Sequence, residues 1–211
     1  MIQHHATDDL LLEYAAGGLD EGSSLLVASH LALCDRCRQV VADAEALGGA
    51  LLESTPAESL ADSAAAAVLA RLDGPPTQRR RVRVAGDGRL PVPVRRYAAE
   101  AGAHWRLMGR GVRQLVVHRS ARSTARLIRL APGSRVPEHT HGGRELTLVL
   151  TGAYRDAFGT FARGDVAEHD ESVMHQPAVT DEAECIVLAV TDAPLHFRNP
   201  LVRLVQPLLG L

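Results

Sequence analysis

The hydrophobic period of this chain changes once, and that change limits the folds open to it. Up to about residue 72, apolar side chains recur at helical spacing. From about residue 91 they fall into short runs of strand length, punctuated by glycine and proline. Between the two stretches stand Gly74-Pro75-Pro76, the run Arg79-Arg80-Arg81 and the turn Asp87-Gly88, which neither a helix nor a strand crosses. The pattern predicts two domains, a small all-α helical bundle over residues 1–76 and an all-β barrel over 91–211, joined by an arginine-rich linker over 77–90. At 211 residues the chain is long enough to bury a core in each.

Local signals place the elements. Thr7 is an N-cap with Asp8 and Asp9 in the first turn, and Gly17-Gly18 end that helix. A second helix fits 21–33, with Leu25, Leu26 and Leu33 inward, and a third fits 36–52, with Val40, Val41, Ala44, Leu47 and Leu51. After Pro56 a fourth fits 57–72, with Leu60, Val68, Leu69 and Leu72 on one side. Strands are predicted at 91–95, 104–107, 113–118, 123–130, 144–151, 154–158, 166–168, 173–178 and 183–190. Turn signals at Pro132-Gly133, Gly152, Gly159 and Gly164-Asp165 separate several of them. Leu204, Val205, Leu208 and Leu209 form an apolar tail suited to covering an open sheet edge.

Charge excludes several functions. All 23 basic residues are arginine, so Schiff-base and P-loop chemistry that depends on lysine is ruled out. A net charge of −2 supplies no excess for neutralising phosphates, and no direct binding to DNA is expected. That total hides an uneven distribution. Residues 1–60 hold ten acids against two arginines, a net −8 suited to a basic protein surface. No secretory leader or membrane-spanning run is apparent, which points to the cytoplasm. Three cysteines are too few for a disulfide scaffold.

Two of those cysteines belong to the constellation His30-x3-Cys34-x2-Cys37. His30 lies one helical turn before Cys34, and a helix break near Asp35 turns Cys37 toward the same point. A closed Zn2+ site takes four ligands, and His4 or His5 offers the fourth. Zinc would add folding free energy to a bundle with a small core. The pair could instead be a redox couple or two inert thiols, though a thioredoxin-like pair needs a strand before the cysteines.

A second constellation reads Gly133-x5-His139-x-His141-x3-Glu145-x6-Gly152, with His175 further on. Two histidines two apart share one face of an extended strand, and Glu145 opens the next strand beside them. Three imidazoles and a carboxylate suit Zn2+, Fe2+, Mn2+, Ni2+ or Cu2+. The plainer alternative is a surface histidine pair with an unrelated glutamate. Glu168, His169, Asp170 and Glu171 are expected in a loop facing solvent, and Cys185 in the interior of a strand.

The stretch from Gly133 to Gly152 resembles the first motif of the cupins, metal-binding jelly-roll (double-stranded β-helix) barrels. The resemblance carries the ligand roles to His139, His141, Glu145 and His175. The whole arrangement is similar to the ChrR-type zinc anti-sigma factors. His5-x-Thr-Asp-x-Leu together with His30, Cys34 and Cys37 matches that family's zinc ligands, with His5 in the first position. The resemblance implies a zinc-held helical domain that binds and inhibits an extracytoplasmic-function sigma factor. It also implies a cupin domain, holding zinc or another divalent transition metal, that senses singlet oxygen or related oxidants and releases sigma. Leu10, Leu11, Tyr14 and the apolar residues of 60–72 would anchor the partner. The rival reading is a metal-dependent cupin dioxygenase or isomerase with an accessory zinc domain. With only seven aromatic residues over the whole chain, and with Glu168, His169, Asp170 and Glu171 expected to face solvent, the non-enzymatic reading is preferred.

Overall fold

The computed structural model describes residues 1–72, 74, 88–102 and 104–200. The arginine run and the apolar tail from Leu204 lie outside the described residues. The helices are α1 (Asp8–Ala15), α2 (Glu21–Leu31), α3 (Asp35–Ser54), α4 (Ala64–Leu72) and α5 (Val92–Glu100). The strands are β1 (Arg106–Gly109), β2 (Val112–Arg119), β3 (Thr124–Leu130), β4 (His139–His141), β5 (Glu145–Thr151), β6 (Ala153–Asp156), β7 (Gly159–Ala162), β8 (Val166–His169), β9 (Ala178–Val179), β10 (Cys185–Thr191) and β11 (Leu195–Phe197).

A six-stranded antiparallel sheet in the order β1-β2-β3-β10-β5-β8 is the main layer. The pair β11-β4 and the three strands β7-β6-β9 form two smaller sheets. The large sheet is covered on both faces, so its central strands read as unbroken apolar runs rather than alternating ones. Every residue of β5 and of β10 is buried. Along β10, Ile186, Leu188 and Val190 join one cluster with the helices, whereas Cys185 and Val187 join a second cluster with Tyr154, Phe161 and Val179. Successive side chains on a strand point to opposite faces, which accounts for the split.

The helices pack directly on this sheet. Leu10, Leu11, Leu25, Leu26 and Val27 share one core with Leu127, Leu146, Leu148 and Leu188. α2 is buried on several sides: Gly22, Ser23, Leu25, Leu26, Val27, Ser29 and His30 are all inaccessible. A Cβ at Gly22 would stand 2.6 Å from Ser123 Oγ, so glycine lets the start of α2 approach the sheet. The Asp20 N-cap accepts from the Gly22 amide at 2.9 Å, from Ser23 Oγ at 2.6 Å and from the Ser123 hydroxyl of the β2–β3 turn.

Three predicted elements are corrected. Residues 91–95 are not a strand but the start of α5. Pro91 and Pro93 lie where a first helical turn needs no amide donor, and Val94, Tyr97 and Ala98 recur at helical spacing against the common core. Residues 57–63 are not helical, and the fourth helix begins only at Ala64. Nearly all of 55–63 is exposed, and a short helix with nothing to pack on is marginal. The predicted strand 173–178 is reduced to Ala178–Val179 and a backbone bridge at His175. The strands β7 and β11 went unpredicted.

Candidate metal centres

One cluster forms where the N-terminal segment meets α2 and α3. His5, His30, Cys34 and Cys37 each offer a ligand atom, and all four atoms lie within 4.8 Å of one another. His5 Nδ1 stands 3.3 Å from Cys34 Sγ and 3.4 Å from Cys37 Sγ. Cys34 is the N-cap of α3, with its sulfur accepting from the Cys37 amide, which explains how the x2 spacing turns both thiols to one point. His30 Nδ1 faces the backbone oxygen of Gly164 at 2.9 Å. A carbonyl only accepts, so Nδ1 carries the proton and Nε2 presents its lone pair. That Nε2 is buried and has no hydrogen-bond partner, as a metal ligand requires. Without a cation, burial and the neighbouring Cys34 push the Cys37 thiol up to about 12. A Cys2His2 donor set with free, buried thiols fits structural zinc. The structure brings in His5 rather than His4, which lies on the Phe161 ring at 4.4 Å.

The second cluster lies within the strands. His139, His141, Glu145 and His175 are all buried, with ligand atoms within 4.8 Å of one another. β4 places His139 and His141 on one face, and reciprocal backbone bonds of 3.1 and 3.2 Å join His139 to His175. Glu145 opens β5 after Gly142-Gly143. A Cβ at Gly143 would meet the Asp192 carboxylate, so glycine lets that side chain close over this turn.

The tautomers are set from outside. His139 Nδ1 donates to Pro137 O at 2.9 Å, and His141 Nδ1 points to Asp170 O at 3.4 Å. His175 Nδ1 meets Asp156 Oδ2 at 3.0 Å. All three rings therefore turn Nε2 inward. His141 Nε2 stands 2.9 Å from Glu145 Oε2, and His139 Nε2 only 3.1 Å from His175 Nε2. Two lone pairs that close repel unless a cation lies between them. Burial, with the nearby His139, pushes His175 down to about 4, and burial also lowers His139. Both rings are thus neutral ligands at pH 7. Burial alone would raise the Glu145 carboxyl, but the facing His141 and His169 rings outweigh it and hold the carboxyl below its usual range. The donor set fits a divalent transition metal. Asp156, with a fully buried side chain, orients His175 in the carboxylate–histidine arrangement typical of metal sites, and sequence reasoning missed it. Its only sequence signal is an acid near the end of a strand.

His169 is also corrected. Glu168, Asp170 and Glu171 are exposed as expected, but His169 is buried at the end of β8. Cys185 is fully buried, with its thiol pushed up to about 12 by burial. Beside the donors a cavity of about 70 Å³ is lined by Ile128, Leu130, Val136, Val187 and Leu195 among others.

Residues 94–194 match the family described as the ChrR cupin-like domain. The chain is 43% identical over 211 residues to the anti-sigma-E factor ChrR of Cereibacter sphaeroides, covering 98% of this chain and 97% of that protein. Among solved structures it is similar to the crystal structure of Rhodobacter sphaeroides SigE in complex with the anti-sigma ChrR. That match has 40% identity and a TM-score of 0.81, and it covers 91% of this chain and 100% of the other. Since the likeness runs nearly end to end and takes in both donor clusters, the chain belongs to the ChrR-type anti-sigma factors.

Proposed function

We propose that this chain binds an extracytoplasmic-function sigma factor in the cytoplasm, holds it inactive, and releases it when the cupin domain meets singlet oxygen or a related oxidant. Residues 1–76 bind the partner, 77–90 link, and 91–211 sense. His5, His30, Cys34 and Cys37 hold zinc in the binding domain, and His139, His141, Glu145 and His175 hold zinc or another divalent metal in the sensing domain. The cupin strands close as a jelly-roll barrel around that second centre. The family supports this reading, since a relative is solved in complex with SigE. Among the described residues, no helix is long and apolar enough to cross a membrane.

The observation that carries the proposal is the apolar surface left on α3 and α4. Leu47, Leu51 and Leu52 on α3, and Val68, Leu69 and Leu72 on α4, are exposed, with Leu51 at 62% and Leu69 at 61%. None of α4 is buried. Large apolar side chains left exposed along each of two successive helices suit a partner surface. Leu10 and Leu11, expected as anchors, are instead buried at 2% and 1% and serve the protein's own core. The −8 charge of residues 1–60 complements a basic partner. A cavity of about 70 Å³ beside the metal donors is small against the roughly 300–1,000 Å³ of ordinary ligand pockets, which disfavours an enzymatic role. The test is purification of the full chain from its native cell, with the bound protein identified by mass spectrometry. A sigma factor is expected, and recovery of the metal-loaded chain without one contradicts the reading.

A further inference from the structure

The cupin centre has one more nitrogen than its four recognised donors. His169 ends β8, directly opposite Glu145 in the β5–β8 register. It is 6% exposed, and its Nδ1 is buried without a hydrogen-bond partner. That nitrogen lies 4.0 Å from Glu145 Oε2, too far for a hydrogen bond. The ring stacks on His141 at 5.8 Å and 21° and meets His175 edge-on at 4.3 Å. A ligand atom of His169 also lies within 4.8 Å of one from His175 and one from Asp156. Asp156 is already engaged with His175 Nδ1, so it does not satisfy His169.

The separations among the four recognised donors suit one ion, and His169 stands beside them, within 4.8 Å of His175 and Asp156 but not grouped with all four. With metal–ligand bonds of about 2.1 Å, two donors lie about 3.0 Å apart at right angles and about 4.2 Å apart across the ion. The measured separations are 2.9 Å for His141–Glu145, 3.1 Å for His139–His175, 3.7 Å for His175–Glu145 and 4.0 Å for His169–Glu145. A buried nitrogen left unpaired is costly, and an ion among these donors relieves it.

We propose that His169 is a fifth donor to the cupin-domain metal, giving a four-nitrogen, one-carboxylate site for a five-coordinate divalent transition ion. This rests on the reading of that cluster as a metal centre. It has two consequences. The fifth donor occupies a position that a cupin enzyme would keep open for substrate or oxygen. It also makes β8 a physical link between the two clusters. On one face of β8, Glu168 accepts from Thr7 at 3.1 Å and the Val166 amide donates to His4 O at 2.9 Å. Just before the strand, Gly164 O accepts from His30, and Asp165 accepts from the amides of Gln3 and His4 at 2.7 and 2.9 Å. A change of coordination at His169 therefore reaches the zinc-binding segment through a four-residue strand.

The test is titration of Co2+ into metal-free full-length protein. Thiolate charge-transfer absorption reports the front cluster, and thiolate-free d–d bands report the cupin centre. The wild type should take up a second equivalent with the weak d–d bands of a five-coordinate ion. His169→Phe should bind that equivalent about tenfold or more weakly, with stronger d–d bands as coordination falls to four. The front cluster should stay unchanged, and His169→Asp, which keeps a donor, should restore affinity. His169→Ala repeats the test without the bulk of a phenyl ring. Unchanged affinity overturns the proposal. So does weaker affinity with an unaltered spectrum, which marks a residue that only positions Glu145. Uptake of the thiolate-bound equivalent alone by the wild type would remove the cupin metal centre itself.

Discussion

His30, on a helix of the N-terminal module, donates its Nδ1 proton to the backbone oxygen of Gly164 in the strand-rich part, across 2.9 Å. The bond fixes the tautomer that leaves Nε2 free for a metal. One of the four front donors is thus held in place by the domain that follows. The ligand cluster of the helical module and the sheet are parts of one packed unit.

The front cluster should be structural. Cys34→Ser or Cys37→Ser should each cost one zinc ion per chain, since a hydroxyl is a poor ligand for this ion. With the metal goes much of the free energy that orders residues 4–6 and the start of α3. Metal counting by plasma emission, with gel filtration against the sigma factor, should show loss of zinc and of the complex. Tight binding retained by both variants would remove zinc from the account.

The apolar face of α3 and α4 should act in binding and not in folding. Leu51→Asp and Leu69→Asp should weaken the complex by about 2 kcal/mol each, roughly 30-fold, if these residues are anchors. The melting temperature of the free protein should hardly move, because surface substitutions usually stay within about 0.5 kcal/mol. Calorimetric titration and thermal denaturation together separate the two effects.

Asp20 caps α2 and ties it to Ser123, so Asp20→Ala should cost about 1 kcal/mol or more at pH 7. Burial alone would raise this carboxyl, but bonds from Ser123, Ser23 and Gly22 outweigh it and lower it below the usual value. A depressed folded value means stability that is present above about pH 3.9, the unfolded value, and lost as pH falls through the folded one. In urea titrations the gap between Asp20→Ala and wild type should therefore be full at pH 7 and narrow under strongly acid conditions. A gap independent of pH would mean that the carboxylate charge does not matter.

The cupin donors should matter for release more than for inhibition. Alanine at His139, His141, Glu145 or His175 should leave basal repression of a sigma-dependent reporter and blunt its induction by singlet oxygen. Full induction in all four variants would detach sensing from this centre.

Much of this was legible before folding. Cys-x-x-Cys with a histidine one turn earlier, and His-x-His followed by Glu145, are local patterns, and the structure brings together all eight residues that they and the family resemblance named. What escaped was non-local. Val94 looked like part of a strand because alternating prolines imitate a period of two, and only the core it enters reveals a helix. His169 reads as a loop residue because it follows closely on the Gly164-Asp165 turn. Its burial follows from pairing with Glu145, twenty-four positions away in sequence, which no short pattern records. Asp156 carries no motif at all and is identified only by its distance to His175.

The most direct test of the central claim is transcription in vitro by core polymerase and the cognate extracytoplasmic-function sigma factor, with and without the zinc-loaded full-length chain. The account predicts that a stoichiometric amount of the chain suppresses transcription and elutes with sigma as one complex. Undiminished transcription with the zinc-loaded chain in excess would contradict it.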